Sequence, residues 1–278
     1  MTLQNFKIRT IVTVLGIPAL AALTLFTIWP FAIFFIIAGG LVLNEIFALM
    51  KKQDLSPNVI LGFAIYLALL VVVLGGGHAD FSALLYLSVV GLFIVELFRK
   101  AHRVLENMAV TFLSAVFVGL VMATFVLLRN MESPDFTEWG GFGGRLVLMV
   151  FLSVWICDML AYLIGSAFGK HKIFSRVSPN KSWEGSLAGL VGAVLTVFIL
   201  VISGFIPQLS FTDILILGII AGVFGQVGDF AESMVKRDVG VKDSSNLIPG
   251  HGGAWDRLDS LLFAVPLSYF YIKYFFLT

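Results

Sequence analysis

The sequence predicts an all-α, polytopic integral membrane protein, and composition, hydropathy and the length of the apolar runs support this fold class. Of its 278 residues, 59% are hydrophobic and 13% are charged, whereas soluble domains carry roughly 45–50% apolar and about 25% charged residues. The mean hydropathy is +1.00. Apolar runs near the length of about 20 residues that a bilayer-crossing helix needs recur along the whole chain. This composition excludes an ordinary cytosolic enzyme and a disordered protein.

Nine apolar runs are candidate membrane-spanning helices, because continuous runs of this length differ from the alternating pattern of barrel strands. No connection between them is long enough to hold a soluble domain. We place the first four spans in an N-terminal group, residues 1–105, and the last five in a C-terminal group, residues 106–278. The predicted spans are 10–28, 31–50, 58–74, 81–98, 108–128, 146–168, 186–206, 212–235 and 258–277.

Basic residues predict the orientation of these spans, since lysine and arginine concentrate in cytoplasmic loops. With the N-terminus inside, all but three of the 18 lysines and arginines fall in cytoplasmic segments, the exceptions being Arg129, Arg145 and Lys273. We therefore expect an N-in, C-out protein with loops 169–185 and 236–257 in the cytoplasm. The first run is interpreted as a retained helix and not a signal peptide, because it is long and a second run follows almost at once.

Net charge and cysteine content exclude further classes. The net charge is +1, from 18 basic and 17 acidic residues, so no global field selects a nucleic acid. Cys157 is the single cysteine, which excludes an internal disulfide and any CxxC motif.

Five acidic residues lie inside the predicted spans at two or more positions from either end, where a charge costs roughly 2.5–3.5 kcal/mol and usually marks function. Each lies nearer the cytoplasmic end of its span, which predicts a cavity open to the cytoplasm and to the inner leaflet. Snorkelling, or pairing with Lys51 and Arg99, also explains two of them, Glu45 and Glu96. A hydrogen bond inside the bundle also explains Asp158. The five are Glu45, Glu96, Asp158, Asp229 and Glu232.

The cytoplasmic end of the eighth span holds most of the unusual chemistry. Gly225 and Gly228 would let another helix approach closely there. If the helix continues through position 236, one of its faces carries Asp229, Glu232, Ser233 and Lys236.

The loop that follows predicts a site for a polyphosphate and a hard cation. Asp229 and Asp256 offer the oxygen ligands that magnesium prefers, and the shortage of cysteine and histidine argues against zinc. Glycines at 250, 252 and 253 would let backbone amides approach an anion where the ninth helix begins. The alternative is a solvated loop whose charges pair with one another. Four cations could neutralise phosphates and a leaving pyrophosphate, namely Lys236, Arg237, Lys242 and Arg257.

The second cytoplasmic loop, 169–185, ends in a segment that could begin a helix or bind a lipid. Ser182 or Asn180 would cap the seventh span. Lys181 and Glu184, next to the membrane surface, fit recognition of an anionic lipid head group.

With these residues, the sequence resembles the phosphatidate cytidylyltransferases, also called CDP-diacylglycerol synthases. Segments 158–162, 178–185 and 226–229 are similar too, with Ser182 where the family usually has threonine. The motif similarity covers the C-terminal part of the chain, and the N-terminal spans resemble the family only in hydropathy. The family pattern is matched by Ser233, Lys236-Arg237, Lys242-Asp243, Pro249, His251-Gly252-Gly253, Asp256-Arg257 and Asp259.

This resemblance implies transfer of a cytidylyl group from CTP to phosphatidate, with release of pyrophosphate. It also implies a magnesium-dependent membrane homodimer, with Asp229 and Asp256 as metal ligands and a monovalent cation such as potassium sharing the metal centre. We expect the protein in a bacterial cytoplasmic membrane with its active site facing the cytoplasm.

The candidate residues follow from this reaction, in which an anionic lipid phosphate needs positioning and charge neutralisation more than a general base. Our catalytic candidates are Asp229, Asp256, Lys236, Arg237, Lys242, Asp243 and Asp259. Our substrate-binding candidates are Ser178, Asn180, Lys181, Glu184, Ser233, His251, Arg257 and Asp158.

Two other functions stay open at this point. One is a related CTP-dependent transferase or kinase acting on another lipid or prenyl acceptor, since one sequence does not identify the residues that select the acceptor. The other is a cation-coupled transporter using Asp158 and Asp229, which leaves the loop 249–257 unexplained.

Overall fold

The computed structural model describes residues 3–76, 80–132, 140–245, 247 and 252–277, with the side chains of residues 3–13 left outside the description. Helices make up nearly all the regular structure of these residues, apart from isolated bridge residues such as the antiparallel pair Lys172 and Ser182. The predicted all-α class is therefore confirmed for them. The helices are α1 (Leu3–Phe26), α2 (Trp29–Lys51), α3 (Val59–Leu74), α4 (Phe81–Phe98), α5 (Val104–Arg129), α6 (Gly141–Phe168), α7 (Trp183–Ile202), α8 (Phe211–Asp238), α9 (Trp255–Leu258) and α10 (Leu261–Phe276).

Six of the helices in the described part of the chain are long and apolar enough to cross a membrane: α2, α4, α5, α6, α7 and α8. Three shorter apolar helical segments, Val14–Phe26, Val59–Leu74 and Leu261–Phe276, overlap the other three predicted spans. Length and composition thus support six of the nine spans, and the orientation stays a prediction.

Polar side chains define where several helices begin. Asn58 accepts a hydrogen bond from the amide of Leu61, and Asp80 accepts one from the amide of Ser82. Ser182 accepts a hydrogen bond from the amide of Gly185, which confirms the capping interpretation for this residue. These bonds satisfy amides that have no partner in the first turn of a helix.

Aromatic packing joins α2, α5 and α6 at the centre of the bundle. The Phe35 ring lies 4.6 Å from Phe31, 4.5 Å from Phe125 and 6.0 Å from Phe151, measured between centroids, and all four rings are buried. Because lipid tails are as apolar as these rings, the packing stabilises the bundle through close van der Waals contact more than through exclusion of water.

The predicted sixth span, 146–168, places Arg145 just outside it, but the structure places this residue inside the helix. Helix α6 begins at Gly141, so Arg145 lies inside it with only 2% of the residue exposed. Its Nη1 donates a 2.7 Å hydrogen bond to the Phe205 carbonyl, and its guanidinium lies 5.2 Å from the Phe205 ring centroid. The turn after α7 supplies these partners, which local sequence does not reveal.

The C-terminal half of α8 contacts the segment that leads into α10. A methyl group at Gly228 would overlap the carbonyl oxygen of Asp259, so glycine permits this approach. The close approach predicted from the glycines is therefore confirmed at Gly228. At Gly225 the same methyl group would meet Val154 at an ordinary 3.5 Å.

Candidate active site

A cavity of about 770 Å³ opens where the ends of α6 and α8 meet the loop before α7 and the segment before α10. Its volume lies in the usual range for ligand pockets. Its lining includes six acidic side chains, Asp158, Asp229, Glu232, Asp243, Asp256 and Asp259. It also includes six basic ones, Lys172, Lys181, Lys236, Arg237, Lys242 and Arg257.

The structure brings all seven predicted catalytic residues to this cavity. Of the predicted substrate-binding residues, Asn180, Lys181, Arg257 and Asp158 also line it. Ser178, Glu184 and Ser233 are not among the lining residues, and His251 lies outside the described residues.

Three acids converge on the cavity wall. One carboxylate oxygen from each of Asp229, Glu232 and Asp259 lies within 4.8 Å of the others. Asp229 and Glu232 come from neighbouring turns of α8, and the contact at Gly228 brings in Asp259. Among the described residues, nothing donates a hydrogen bond to Glu232 Oε1, although this atom is buried. A group of hard oxygens with one buried atom unpartnered fits a divalent cation such as magnesium.

Asp256, the second predicted metal ligand, is not a member of this group of three. Its Oδ1 lies 2.5 Å from Lys236 Nζ, and its Oδ2 accepts hydrogen bonds from the amides of Ser244 at 3.0 Å and Gly253 at 2.7 Å. Burial alone would raise the pKa of Asp256, but the hydrogen bonds from Lys236 and Gly253 hold it well below its usual value. A metal ion at Oδ1 would therefore have to replace the lysine.

Two lysines neutralise the acids on α8. Lys181 forms an ion pair with Asp229, and its Nζ lies 4.3 Å from the Phe230 ring centroid. Lys236 Nζ lies between Glu232 Oε2 at 2.6 Å and Asp256 Oδ1 at 2.5 Å. The sequence predicts that these residues share one face of α8. The bonds from Lys236 to Glu232 and from Ser233 Oγ to Asp229 Oδ1, the latter at 3.3 Å, confirm this prediction.

Gln226 holds the turn of α8 that precedes the acids, and sequence reasoning assigned it no role. A π-helical turn, Ile220–Phe224, interrupts the α-helical hydrogen bonding just before it. Gln226 Nε2 donates hydrogen bonds to the carbonyls of Gly222 at 2.7 Å and Ser186 at 3.1 Å. A glutamine side chain inside an apolar span is a sequence signal for such a hydrogen bond. The π turn is a second signal, since π turns are frequent near functional sites.

The loop before α7 is folded by its own side chains. Glu184 Oε1 lies 2.6 Å from His171 Nδ1, and Glu184 also accepts hydrogen bonds from the amides of Lys170 and His171. These contacts give Glu184 a part in shaping the loop that carries Lys181. Arg237 donates to the Val177 carbonyl at 3.4 Å and so connects this loop to the end of α8.

The two glutamates of the N-terminal helices behave differently. Glu96 pairs with Arg99, as the sequence predicts. The expectation for Glu45 is wrong, because its carboxylate does not snorkel or pair with Lys51. It is 4% exposed and accepts hydrogen bonds from the amides of Ala254 at 2.8 Å and Trp255 at 2.9 Å. The anion that these amides bind, beside the glycines, is thus a side chain of α2.

Comparison with known proteins extends the similarity beyond the C-terminal motifs. The model of the cytidylyltransferase family matches residues 7–275, which include the N-terminal helices. A phosphatidate cytidylyltransferase of Bacillus subtilis is 31% identical over 255 residues, covering 88% of this chain and 90% of the relative.

Two further relatives bear the same name. The phosphatidate cytidylyltransferase of Thermotoga maritima is 33% identical over 228 residues, covering 81% of this chain and 80% of the relative. The one from Haemophilus influenzae is 48% identical over 130 residues, which is 45% of each chain. With a family match over nearly its whole length, this chain belongs to the cytidylyltransferase family.

Proposed function

We propose that this protein transfers the cytidylyl group of CTP to phosphatidate, giving CDP-diacylglycerol and pyrophosphate. The observation that carries the proposal is the cavity in which six basic and six acidic side chains meet beside helices long and apolar enough to span a membrane. The names of the relatives support phosphatidate as the acceptor. A cavity of this charge suits a triphosphate, a cation and a lipid phosphate better than an ion path across the membrane.

In the proposed reaction, an oxygen of the phosphatidate phosphate attacks the α-phosphorus of CTP. The bond from the α-phosphorus to the oxygen bridging to the β-phosphorus breaks, and its electrons leave with pyrophosphate. The lipid phosphate is already anionic at neutral pH, so the protein has to position the two phosphates and neutralise their charge. Four cavity cations are not placed in an ion pair by the described structure: Lys172, Arg237, Lys242 and Arg257. We assign the last three, which also belong to the sequence motif, to the triphosphate.

We also propose that the site is magnesium-dependent. The sequence predicts Asp229 and Asp256 as metal ligands, and Asp229 also belongs to the group of three converging carboxylates with Glu232 and Asp259. Asp229 is therefore the ligand that both observations support. When bound there, magnesium would act as a Lewis acid on the nucleotide phosphates. Lys181, which pairs with Asp229 in this structure, would be released to bind the lipid phosphate. A monovalent cation such as potassium could occupy the remaining acidic oxygens.

The location of the site is part of the proposal. The distribution of lysine and arginine supports a cavity on the cytoplasmic side, so that phosphatidate reaches it from the inner leaflet of a bacterial cytoplasmic membrane. We also propose that the enzyme is a homodimer, as the sequence resemblance implies.

The test uses the full chain, purified in detergent, with phosphatidate, magnesium and CTP labelled at the α-phosphorus. We expect label in the lipid extract only when phosphatidate and magnesium are both present, and we expect a chelator to abolish it and added magnesium to restore it. Labelling of prenyl alcohols but not phosphatidate, by CTP labelled at the α- or at the γ-phosphorus, would indicate the related transferase or kinase. Cation uptake by proteoliposomes without consumption of CTP would indicate the transporter.

A further inference from the structure

Glu45 lies on α2, outside the cavity lining, yet its carboxylate binds the loop that follows α8. Oε1 accepts hydrogen bonds from Ser245 Oγ at 2.6 Å and from the amide of Ala254 at 2.8 Å. Oε2 accepts them from Ser244 Oγ at 2.8 Å and from the amide of Trp255 at 2.9 Å. One buried carboxylate therefore holds Ser244 and Ser245, in the middle of the segment between α8 and α9, against the start of α9.

The backbone of the loop is shaped around this carboxylate. A methyl group added at Gly253 would overlap Ser244 Oγ and both oxygens of Glu45. Any larger side chain at this position would displace the carboxylate, the serine or the loop itself. The absence of a Cβ at Gly253 is thus a requirement of the Glu45 contact, and does not by itself leave room for a substrate.

Hydrogen bonds connect Glu45 to the cavity wall. Ser244 Oγ lies 2.8 Å from Glu45 Oε2 and 2.9 Å from Asp256 Oδ2, so its single proton can serve only one of the two carboxylates at a time. Asp256 in turn binds Lys236, which binds Glu232 in the acidic group of the cavity. The orientation of these side chains therefore depends on a residue of the N-terminal helices.

We propose that Glu45 is a positioning residue for cytidylyl transfer, which holds Ser244 and Ser245 against the start of α9 and thereby sets the place of Asp256 and Lys236 at the cavity. The proposal rests on the proposed function, since it names a residue that serves the same site. Glu45 touches no cavity surface and acts through Ser244 and the amides of Ala254 and Trp255.

The test compares Glu45→Gln with Glu96→Gln, measured on the full chain in detergent. Glu96 is the matched control, because it is equally buried on an N-terminal helix but pairs with Arg99 and does not contact the loop. Glutamine keeps the shape but loses acceptors for the four donors. We expect kcat to fall about 10- to 100-fold in Glu45→Gln, with the KM for phosphatidate unchanged, whereas Glu96→Gln keeps the kcat of the wild type.

A double-mutant cycle separates positioning from general damage. Because Ser244 mediates the contact, adding Ser244→Ala to Glu45→Gln should lower kcat no further than Glu45→Gln alone. Added to Glu96→Gln, Ser244→Ala should lower kcat by the same factor as it does in the wild type. A kcat in Glu45→Gln equal to that of the control, or multiplying effects in the cycle, would overturn the proposal.

A second readout does not require activity, so that it separates this inference from the proposed function. Lys242 lies two residues before Ser244, which Glu45 binds. Trypsin cleavage after Lys242 should therefore be faster in Glu45→Gln than in the wild type and unchanged in Glu96→Gln. Cleavage after Lys172 and Arg176 provides the internal reference. If the wild type makes no labelled lipid, the proposed function fails, and an unchanged cleavage rate would overturn the positioning role of Glu45 independently.

If Glu45→Gln does not yield folded protein, Ser245→Ala removes one donor and leaves the buried carboxylate in place. The same changes, smaller in size, are expected in kcat and in cleavage after Lys242. Wild-type values in both measurements would overturn the proposal.

Discussion

The two ends of α8 carry carboxylates in opposite settings. At the start of the helix, Asp213 belongs to a capping box and accepts hydrogen bonds from the amide of Ser210 at 2.7 Å and its hydroxyl at 2.6 Å. Tyr271 donates a further bond of 2.6 Å to the same carboxylate. The positive end of the helix dipole also favours a negative charge there. This aspartate is satisfied mainly by neighbours along the chain.

Roughly 24 Å further along the helix, Asp229 and Glu232 lie in its C-terminal part, away from the unpaired amides of the first turn. Their partners, Lys181 and Lys236, are cations, and Glu232 Oε1 has no partner among the described residues. The difference teaches that burial of an acid in a membrane helix does not mark function. The acids that we assign to the active site depend instead on cations and on distant segments of the chain.

The largest effect that would sharpen this comparison is expected for Asp229→Asn. The change removes a charge that we assign to magnesium while keeping the size of the side chain. Turnover of CTP and phosphatidate should fall about 100- to 1,000-fold, measured as labelled lipid at saturating substrates. A variant with near-normal activity and an unchanged requirement for magnesium would contradict the assigned role.

A smaller effect on activity but a large one on stability is expected for Lys236→Gln. It leaves Glu232 and Asp256 buried without their shared cation, and breaking a buried ion pair in this way costs about 3–5 kcal/mol. Thermal unfolding in detergent should show the loss as a lower Tm. The control is Arg103→Gln, which removes an exposed ion pair with Glu106 and should lower Tm much less. Equal losses in both variants would contradict the role of Lys236 as a buried bridge.

The smallest effect is expected for Asp213→Asn at the other end of the same helix. Loss of the capping carboxylate should cost about 1 kcal/mol of stability, detected by thermal unfolding, while kcat and the magnesium dependence stay at wild-type values. A loss of activity comparable to that of Asp229→Asn would break the distinction between the two ends.

The fold was predictable where apolar length decides it. The fourth predicted span, 81–98, coincides with α4, and 31–50 differs from α2 by two residues at the start and one at the end. The start of α6 was missed by five residues because Arg145 looked like a flanking charge. Its partners lie on the turn after α7, sixty residues away in sequence, where no local pattern could indicate them.

The site was predictable to the extent that its residues share a helix or a motif. Spacing along α8 placed Asp229, Glu232 and Lys236 together, and the motif added Asp256 and Asp259. The contact of Lys181 with Asp229 spans 48 positions, and that of Glu45 with Trp255 spans 210. Such pairings depend on how the helices pack, which hydropathy and spacing do not determine.

The π turn at Ile220–Phe224 has a consequence for how this helix can evolve. An α-helix advances about 100° per residue, so the wider turn resets the angular phase of everything that follows it. Removing one residue from this apolar stretch would leave the part of α8 before the turn in place and rotate Asp229 and Glu232 away from the cavity. A single insertion or deletion at this turn can therefore redirect the face that carries these carboxylates without changing any of its residues.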